Sequence, residues 1–241
     1  MSANKSDRNQ ELKSRVWFTF FMLVVFRLGV FVPTPGIDAI KLKEIFEKSA
    51  ASLFGFINMF SGGALEKFSV FALGITPYIS VSIIVQLLSS LIKPLEELRE
   101  QGEQGRRVIA RYTRFGTVAL ALFQGFVIAR GLESQNVVHN PGLNFQIVTA
   151  ITLAAGTVFI MWIGEQITER GIGNGSSILI ASGIVASMPS SLASTFSLVG
   201  SGEISPIQLL SVMAFALVTV TGVIYVERAL RKIPVQYPKR A

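Results

Sequence analysis

The sequence predicts an all-α, polytopic membrane protein, and three observations carry that reading. Half of the 241 residues are hydrophobic and only 15% are charged, less charge than a soluble domain of this length needs to cover its surface. The apolar residues fall in long runs: 68–92, 140–164, 171–202 and 204–226 contain no charged residue. The charges collect between the runs. An apolar stretch of about 20 residues spans the hydrocarbon core as a helix, and a helix satisfies its own backbone where lipid offers no hydrogen-bond partner.

Taken in order, six spans are expected, at about 16–32, 68–92, 115–132, 145–164, 176–199 and 206–226. The first is expected to be retained, because Pro33-Thr-Pro-Gly36 follows it rather than a small-residue cleavage site. It contains Arg27 near its outer end, where the side chain can snorkel or face other helices. Between spans one and two, the first part of 33–67 is too polar to cross. Its second part, 52–63 (SLFGFINMFSGG), is apolar but about half a membrane thick, which suits a re-entrant or interfacial helix.

The chain has no cysteine and a single histidine, His139. Disulfides, thiolate catalysis and cysteine metal sites are excluded, and a His-rich metal site or Ser-His-Asp triad nearly so. Neither an enzyme nor a cofactor-binding protein is expected. The net charge of +7 reads as a positive-inside bias rather than a nucleic-acid footprint, because of where the basic residues lie. Lys5, Arg8, Lys13 and Arg15 precede span one. Lys93, Arg99, Arg106, Arg107, Arg111 and Arg114 lie between spans two and three, Arg170 between four and five, and Arg228, Arg231, Lys232, Lys239 and Arg240 after span six. Both ends of the chain are therefore expected on the cytoplasmic side. Lys41, Lys43, Lys48 and Lys67 after span one and Arg130 after span three run against this bias, the four lysines being offset locally by Asp38, Glu44, Glu47 and Glu66.

Four motifs stand out. Leu73-Gly-Ile-Thr-Pro-Tyr-Ile-Ser80 sets Ile75 and Ile79 four apart, on one helix face, which by itself reads as a packing stripe. Glu169-Arg-Gly-Ile-Gly-Asn-Gly-Ser-Ser177 has the glycines of a phosphate loop, but no strand precedes it and no Lys-Ser/Thr follows. A tight turn that lets two helices approach closely fits better, and Ile180 and Ile184 then repeat the four-residue spacing. Phe54-Gly-Phe-Ile-Asn-Met-Phe-Ser-Gly-Gly63 implies a cavity if it enters the membrane, since broken backbone at that depth must be buried in protein or line a cavity. An amphipathic helix on the outer surface is the alternative. The basic tail from Val226 to Arg240 reads most simply as a segment that meets anionic lipid.

In this order and at these intervals, the segments resemble the SecY family of preprotein translocase channel subunits, the bacterial or plastid branch most closely. The resemblance covers nearly the whole chain. It runs through Pro33-Thr-Pro-Gly36, Asn58-Met-Phe-Ser-Gly-Gly-Ala64, Ala72-Leu-Gly-Ile-Thr-Pro-Tyr-Ile-Ser80, Gln86-Leu-Leu88, Arg170-Gly-Ile-Gly-Asn-Gly175 and the stretch from Val226-Glu-Arg228 to Tyr237-Pro-Lys-Arg240.

The resemblance implies a ten-span hourglass of two inverted halves, of which 1–199 would be the first half and 200–241 span six with the start of the following cytoplasmic loop. A collar of apolar side chains would close the waist, here Ile75, Ile79, Ile180 and Ile184. A plug over about 54–64 would include Phe54, Ile57, Asn58, Met59, Phe60, Ser61, Gly62 and Gly63. Spans two and three would form one side of a lateral gate, with Gln86, Leu87 and Leu88. Arg106, Arg107, Arg228, Arg231, Lys232, Lys239 and Arg240 would dock cytoplasmic partners. The implied function is to pass unfolded secretory polypeptides across the membrane and release signal or transmembrane segments into lipid. The implied partners are SecE and SecG, the SecA motor, the ribosome, signal sequences and nascent chains, and the lipid bilayer. The implied location is a bacterial plasma membrane or a plastid thylakoid.

A secondary transporter with broken helices and inverted repeats is the alternative class. Ion coupling usually leaves carboxylates inside the membrane, and these spans have none in their interiors, Glu165 lying at the inner end of span four. An intramembrane protease is disfavoured because Asp7, Asp38 and His139 all lie outside the spans.

Overall fold

The computed structural model describes residues 5–48, 58 and 61–229. Among these residues all regular structure is helical, apart from two isolated bridges, Pro33 to Ser69 and Ile37 to Val138. The helices are α1 (Lys5–Gly29), α2 (Ala39–Lys48), α3 (Thr76–Leu91), α4 (Lys93–Glu100), α5 (Glu103–Ser134), α6 (Leu143–Arg170), α7 (Gly175–Gly200) and α8 (Pro206–Glu227). Helices α5 to α8 are each long and apolar enough to cross a membrane, and α3 with α4 makes a fifth candidate bent by 99°. The chain divides into two compact units, Met1–Met188 and Pro189–Ala241.

Two expectations are modified. The predicted second span begins as a helix at Thr76 rather than at Phe68, and 61–75 is a string of turns. Gly74 takes φ +58, a left-handed conformation open to glycine, and Pro77 in the first turn of α3 can start a helix but not donate to a preceding turn. Helix α1 covers the first predicted span and, at 25 residues, is long enough to cross a membrane, but it is not apolar enough to count as a spanning helix. It starts in a polar segment, where Arg15 pairs with Glu11 at 2.9 Å, and it carries Lys13, Arg15 and Arg27 within its final 18 residues.

In the first unit, α6 is the central helix. Its Ile160, Ile163 and Ile167 join Phe26, Val30, Ala64, Phe71, Ile75 and Leu179 in one buried cluster. Its Leu153 and Ala154 join Leu42, Leu65, Phe68, Ala72, Leu73, Ala121 and Val137 in another. Helix α5 meets α6 through a stripe of small residues four apart, Thr113, Thr117, Ala121, Gly125 and Ala129, all buried. Such a stripe lets two backbones approach in lipid, where no hydrophobic effect drives helices together. A Cβ on Gly125 would lie 3.0 Å from the Ala150 Cα.

The polar connection after α1 is tied down by its own chemistry. Asp38 Oδ1 accepts from the Ile40 and Lys41 amides at 3.1 and 3.3 Å, capping the first turn of α2. The Pro33-Thr-Pro-Gly36 turn is clamped from two sides: the Thr34 amide donates to the Phe68 carbonyl at 2.9 Å and the His139 amide to the Gly36 carbonyl at 3.1 Å. In the second unit, Ser205 and Gln208 form a capping box at the start of α8, which buries none of its side chains.

Candidate functional site

The structure gathers three of the four paired isoleucines at one place. Ile75 lies immediately before α3 and is buried, with its δ-carbon 3.5 Å from the position of a Cβ on Gly164, beside Leu179. Ile79 and Ile180 pack, partly buried, against the same cluster. Ile184, one turn further along α7, is half-buried. Ile75 is thus embedded in the helix core, while Ile79, Ile180 and Ile184 keep accessible surface.

The described end of the apolar segment 52–63 reaches this stripe. Gly62 is buried, with φ +67. A Cβ there would lie 3.0 Å from the Gly183 Cα on α7, one residue from Ile184, and 2.9 Å from Arg27 Nη1. The same Nη1 donates to the Gly62 carbonyl at 3.0 Å.

Asn58 and Ser61 find the partners that polar atoms need when they are drawn away from water. Asn58 Oδ1 accepts from the Glu66 amide at 2.9 Å and Asn58 Nδ2 donates to Glu66 Oε2 at 3.2 Å. The Asn58 carbonyl accepts from the Gly63 amide and from Ser61 Oγ, both at 2.9 Å. Ser61 Oγ accepts from the Leu65 amide at 3.3 Å. The segment therefore leaves through a self-satisfied turn. Phe54, Ile57, Met59 and Phe60 lie outside the described residues.

The glycine-rich turn between α6 and α7 is a close approach, as its spacing predicts. A Cβ on Gly175 would stand 1.9 Å from the Gly164 carbonyl oxygen, and one on Gly171 would stand 2.5 Å from Thr19 Oγ1. Thr19 Oγ1 accepts from the Ile172 amide at 3.2 Å, tying α1 to the turn. Asn174 Oδ1 accepts from the Ser176 and Ser177 amides at 3.0 and 3.3 Å, satisfying first-turn donors of α7.

Gln86, Leu87 and Leu88 are exposed on α3. Arg106 and Arg107 are exposed on the first turns of α5, where the helix extends ahead of its apolar stretch. Close packing holds this extension to α4, since a Cβ on Gly105 would meet the Leu98 carbonyl oxygen at 1.5 Å. Arg228 follows α8 and is exposed; Arg231, Lys232, Lys239 and Arg240 lie outside the described residues. Sequence reasoning missed Gly183 and the contact between Arg27 and Gly62. Their only signals were an arginine inside an apolar run and a Gly-Gly pair after a short apolar segment.

Comparison with known proteins bears on this arrangement. The SecY family profile matches residues 69–241. The chain is 48% identical over 234 residues to Protein translocase subunit SecY of Escherichia coli (strain K12), covering 95% of this chain and 53% of that protein. It is 46% identical over 246 residues to the protein of the same name from Rickettsia bellii, covering all of this chain and 57% of that one. Among solved structures, Sec61 in the canine ribosome-channel complex aligns with a TM-score of 0.64 at 16% identity, over 93% of this chain and 50% of that chain. A structure described as a protein conducting channel aligns at a TM-score of 0.53 and 16% identity, over 86% of this chain and 42% of that chain.

The fold defines a polytopic α-helical membrane protein with the fold of protein-conducting channels. The chain belongs to the SecY family. It spans about half the length of the curated relatives it matches.

Proposed function

We propose that this chain forms the first part of the central subunit of a Sec-type channel, which passes unfolded polypeptides across the membrane and releases apolar segments sideways into lipid. One observation carries the proposal: Gly62, near the end of the apolar segment 52–63, seats against Gly183 of α7 between the positions of Ile180 and Ile184. A backbone turn seated beside a partly exposed aliphatic stripe is what a stopper over a collar requires.

The chemistry suits the task. A translocating chain is polar, charged and apolar by turns, and a wall of fixed hydrogen-bond donors would retain some of it. Branched aliphatics offer no specific bonds, and an apolar constriction excludes water and ions by dewetting when empty. In this reading Ile79, Ile180 and Ile184 line the collar with Ile75 backing them, the segment around 54–64 is the plug, and Gln86, Leu87 and Leu88 border the lateral exit. Arg106, Arg107 and the basic residues from Arg228 onward face the cytoplasm and meet SecA or the ribosome. SecE and SecG complete the channel, and the membrane is a bacterial plasma membrane, with both ends of this chain on the cytoplasmic side.

The test uses a single cysteine at Ile79 in the full-length subunit, in a background without other cysteines. A secretory chain carrying one cysteine is stalled midway. A disulfide that depends on a functional signal sequence is the expected outcome. No bond at Ile79, Ile180 or Ile184 would make the stripe ordinary helix packing and end the channel assignment.

A further inference from the structure

Thr149 breaks the pattern set by the other threonines of the two paired helices. On α5 and α6, Thr113, Thr117, Thr152, Thr157 and Thr168 each donate their hydroxyl to the carbonyl four residues back, at 2.7–3.0 Å. Thr149 does not. Among the described residues its Oγ1 has no hydrogen-bond partner, and the same holds for Thr34 Oγ1. Thr149 is fully buried and Thr34 is 4% exposed. A hydroxyl left unbonded away from water is costly, and native interiors rarely keep one.

The packing register brings the two together. Phe145, Thr149 and Leu153 lie four apart on α6 and are all buried, so they form one stripe. A Cβ on Gly36 would lie 3.1 Å from the Phe145 ring. Leu153 packs in one cluster with Phe68, whose carbonyl takes the Thr34 amide at 2.9 Å. The Pro33-Thr-Pro-Gly36 turn therefore runs along this stripe, with Gly36 at Phe145 and the partner of Thr34 at Leu153. Thr34 falls opposite the residue between them, Thr149. A cleft of about 310 Å³ opens beside the pair, and its lining includes Pro35, next to Thr34, and Val148, next to Thr149.

We propose that a single internal water is held between Thr34 and Thr149 and ties the 33–36 turn to α6. The two oxygens do not bond each other, so a third group has to satisfy both. Each hydroxyl can donate and accept, and the Phe145 carbonyl, which Thr149 would otherwise take, keeps a second lone pair. Two hydroxyls and a carbonyl supply the three bonds that a buried water usually makes. Three uncharged oxygens are too few for a hard metal cation, which takes about six or more. The cleft gives water a way in. Thr149 gives up its own helix bond to serve the link.

The test uses the full-length protein in lipid nanodiscs. A density map that resolves ordered water is expected to show one peak about 2.5–3.0 Å from both Thr34 Oγ1 and Thr149 Oγ1. A direct bond between the two oxygens, Thr149 turned back onto the Phe145 carbonyl, or no density at that position overturns the proposal.

Thr34→Val and Thr149→Val, singly and together, give a second reading, since each keeps the shape of threonine and removes one hydroxyl. With a shared water, each single change strands the remaining partner. The thermal midpoint falls, and exchange of the position-34 amide speeds up about tenfold. The double change removes both polar groups and restores most of the loss. Without the water, each single change relieves an orphaned hydroxyl and the midpoint rises. A rise, no change, or losses that add in the double variant overturns the link. Where a variant does not fold, the map of the unaltered protein decides.

Discussion

Arg114 Nε donates to Glu165 Oε1 at 2.8 Å, joining α5 to α6 across 51 positions of sequence. Glu165 is the carboxylate at the inner end of the fourth predicted span, and the pair places it at a helix junction rather than on an ion path. The arginine side chain is 53% exposed and the glutamate 22%, so the pair is partly screened. A double-mutant cycle with Arg114→Gln and Glu165→Gln, read by unfolding in mixed micelles, should give a coupling of about 0.5–1 kcal/mol. A coupling of zero would make the contact incidental to helix pairing.

The glycines divide sharply by surroundings. A Cβ on Gly156 would meet the Val70 carbonyl oxygen at 1.9 Å, and one on Gly175 the Gly164 carbonyl oxygen at 1.9 Å, whereas one on Gly131 meets nothing within 4 Å. Backbone cannot yield as a flexible side chain can. Gly156→Ala and Gly175→Ala should each destabilise the fold by about 1–3 kcal/mol or more. Gly131→Ala should be neutral or stabilise by up to about 1 kcal/mol, as expected for glycine to alanine within a helix. Equal melting temperatures for the three variants would contradict the close approaches.

Replacing Ile79 or Ile184 with serine in the full-length channel should raise ion leak and relax the requirement for a functional signal sequence, because a polar collar holds water. Ile75→Ser should instead lower the melting temperature, since Ile75 is only 8% exposed and sits in the core. Conductance and selectivity that stay unchanged in the Ile79 and Ile184 variants would remove both residues from the pore.

Charge reversal of Arg106 and Arg107 should weaken binding of SecA or the ribosome while leaving membrane insertion intact, because both side chains project from the extension of α5 ahead of its apolar stretch. Normal partner affinity in the reversed variant, measured by flotation, would remove both residues from partner docking. The orientation itself is open to labelling, since this sequence has no cysteine. Single cysteines at Arg106 and at Ile40, which is 75% exposed, should react from opposite sides of the membrane.

The sequence by itself determined the class, the number of apolar runs, the charge pattern and the motif order that marks the family. These are local quantities: whether 20 residues cross lipid depends on those residues. It also predicted that 171–175 is a packing turn, because three glycines in five residues have few other uses at the start of a helix. Only the tertiary structure decided that helix α3 starts at Thr76, since hydropathy does not register a run of turns stabilised by contacts such as the Val70 backbone against Gly156. Only it separated Ile75, enclosed by α6 and α7, from Ile79, which has the same residue type and spacing. And only it gave Arg27 and Glu165 their partners, 35 and 51 positions away, because a charge in an apolar run states that a partner is needed, while the packing of distant helices decides which one it meets.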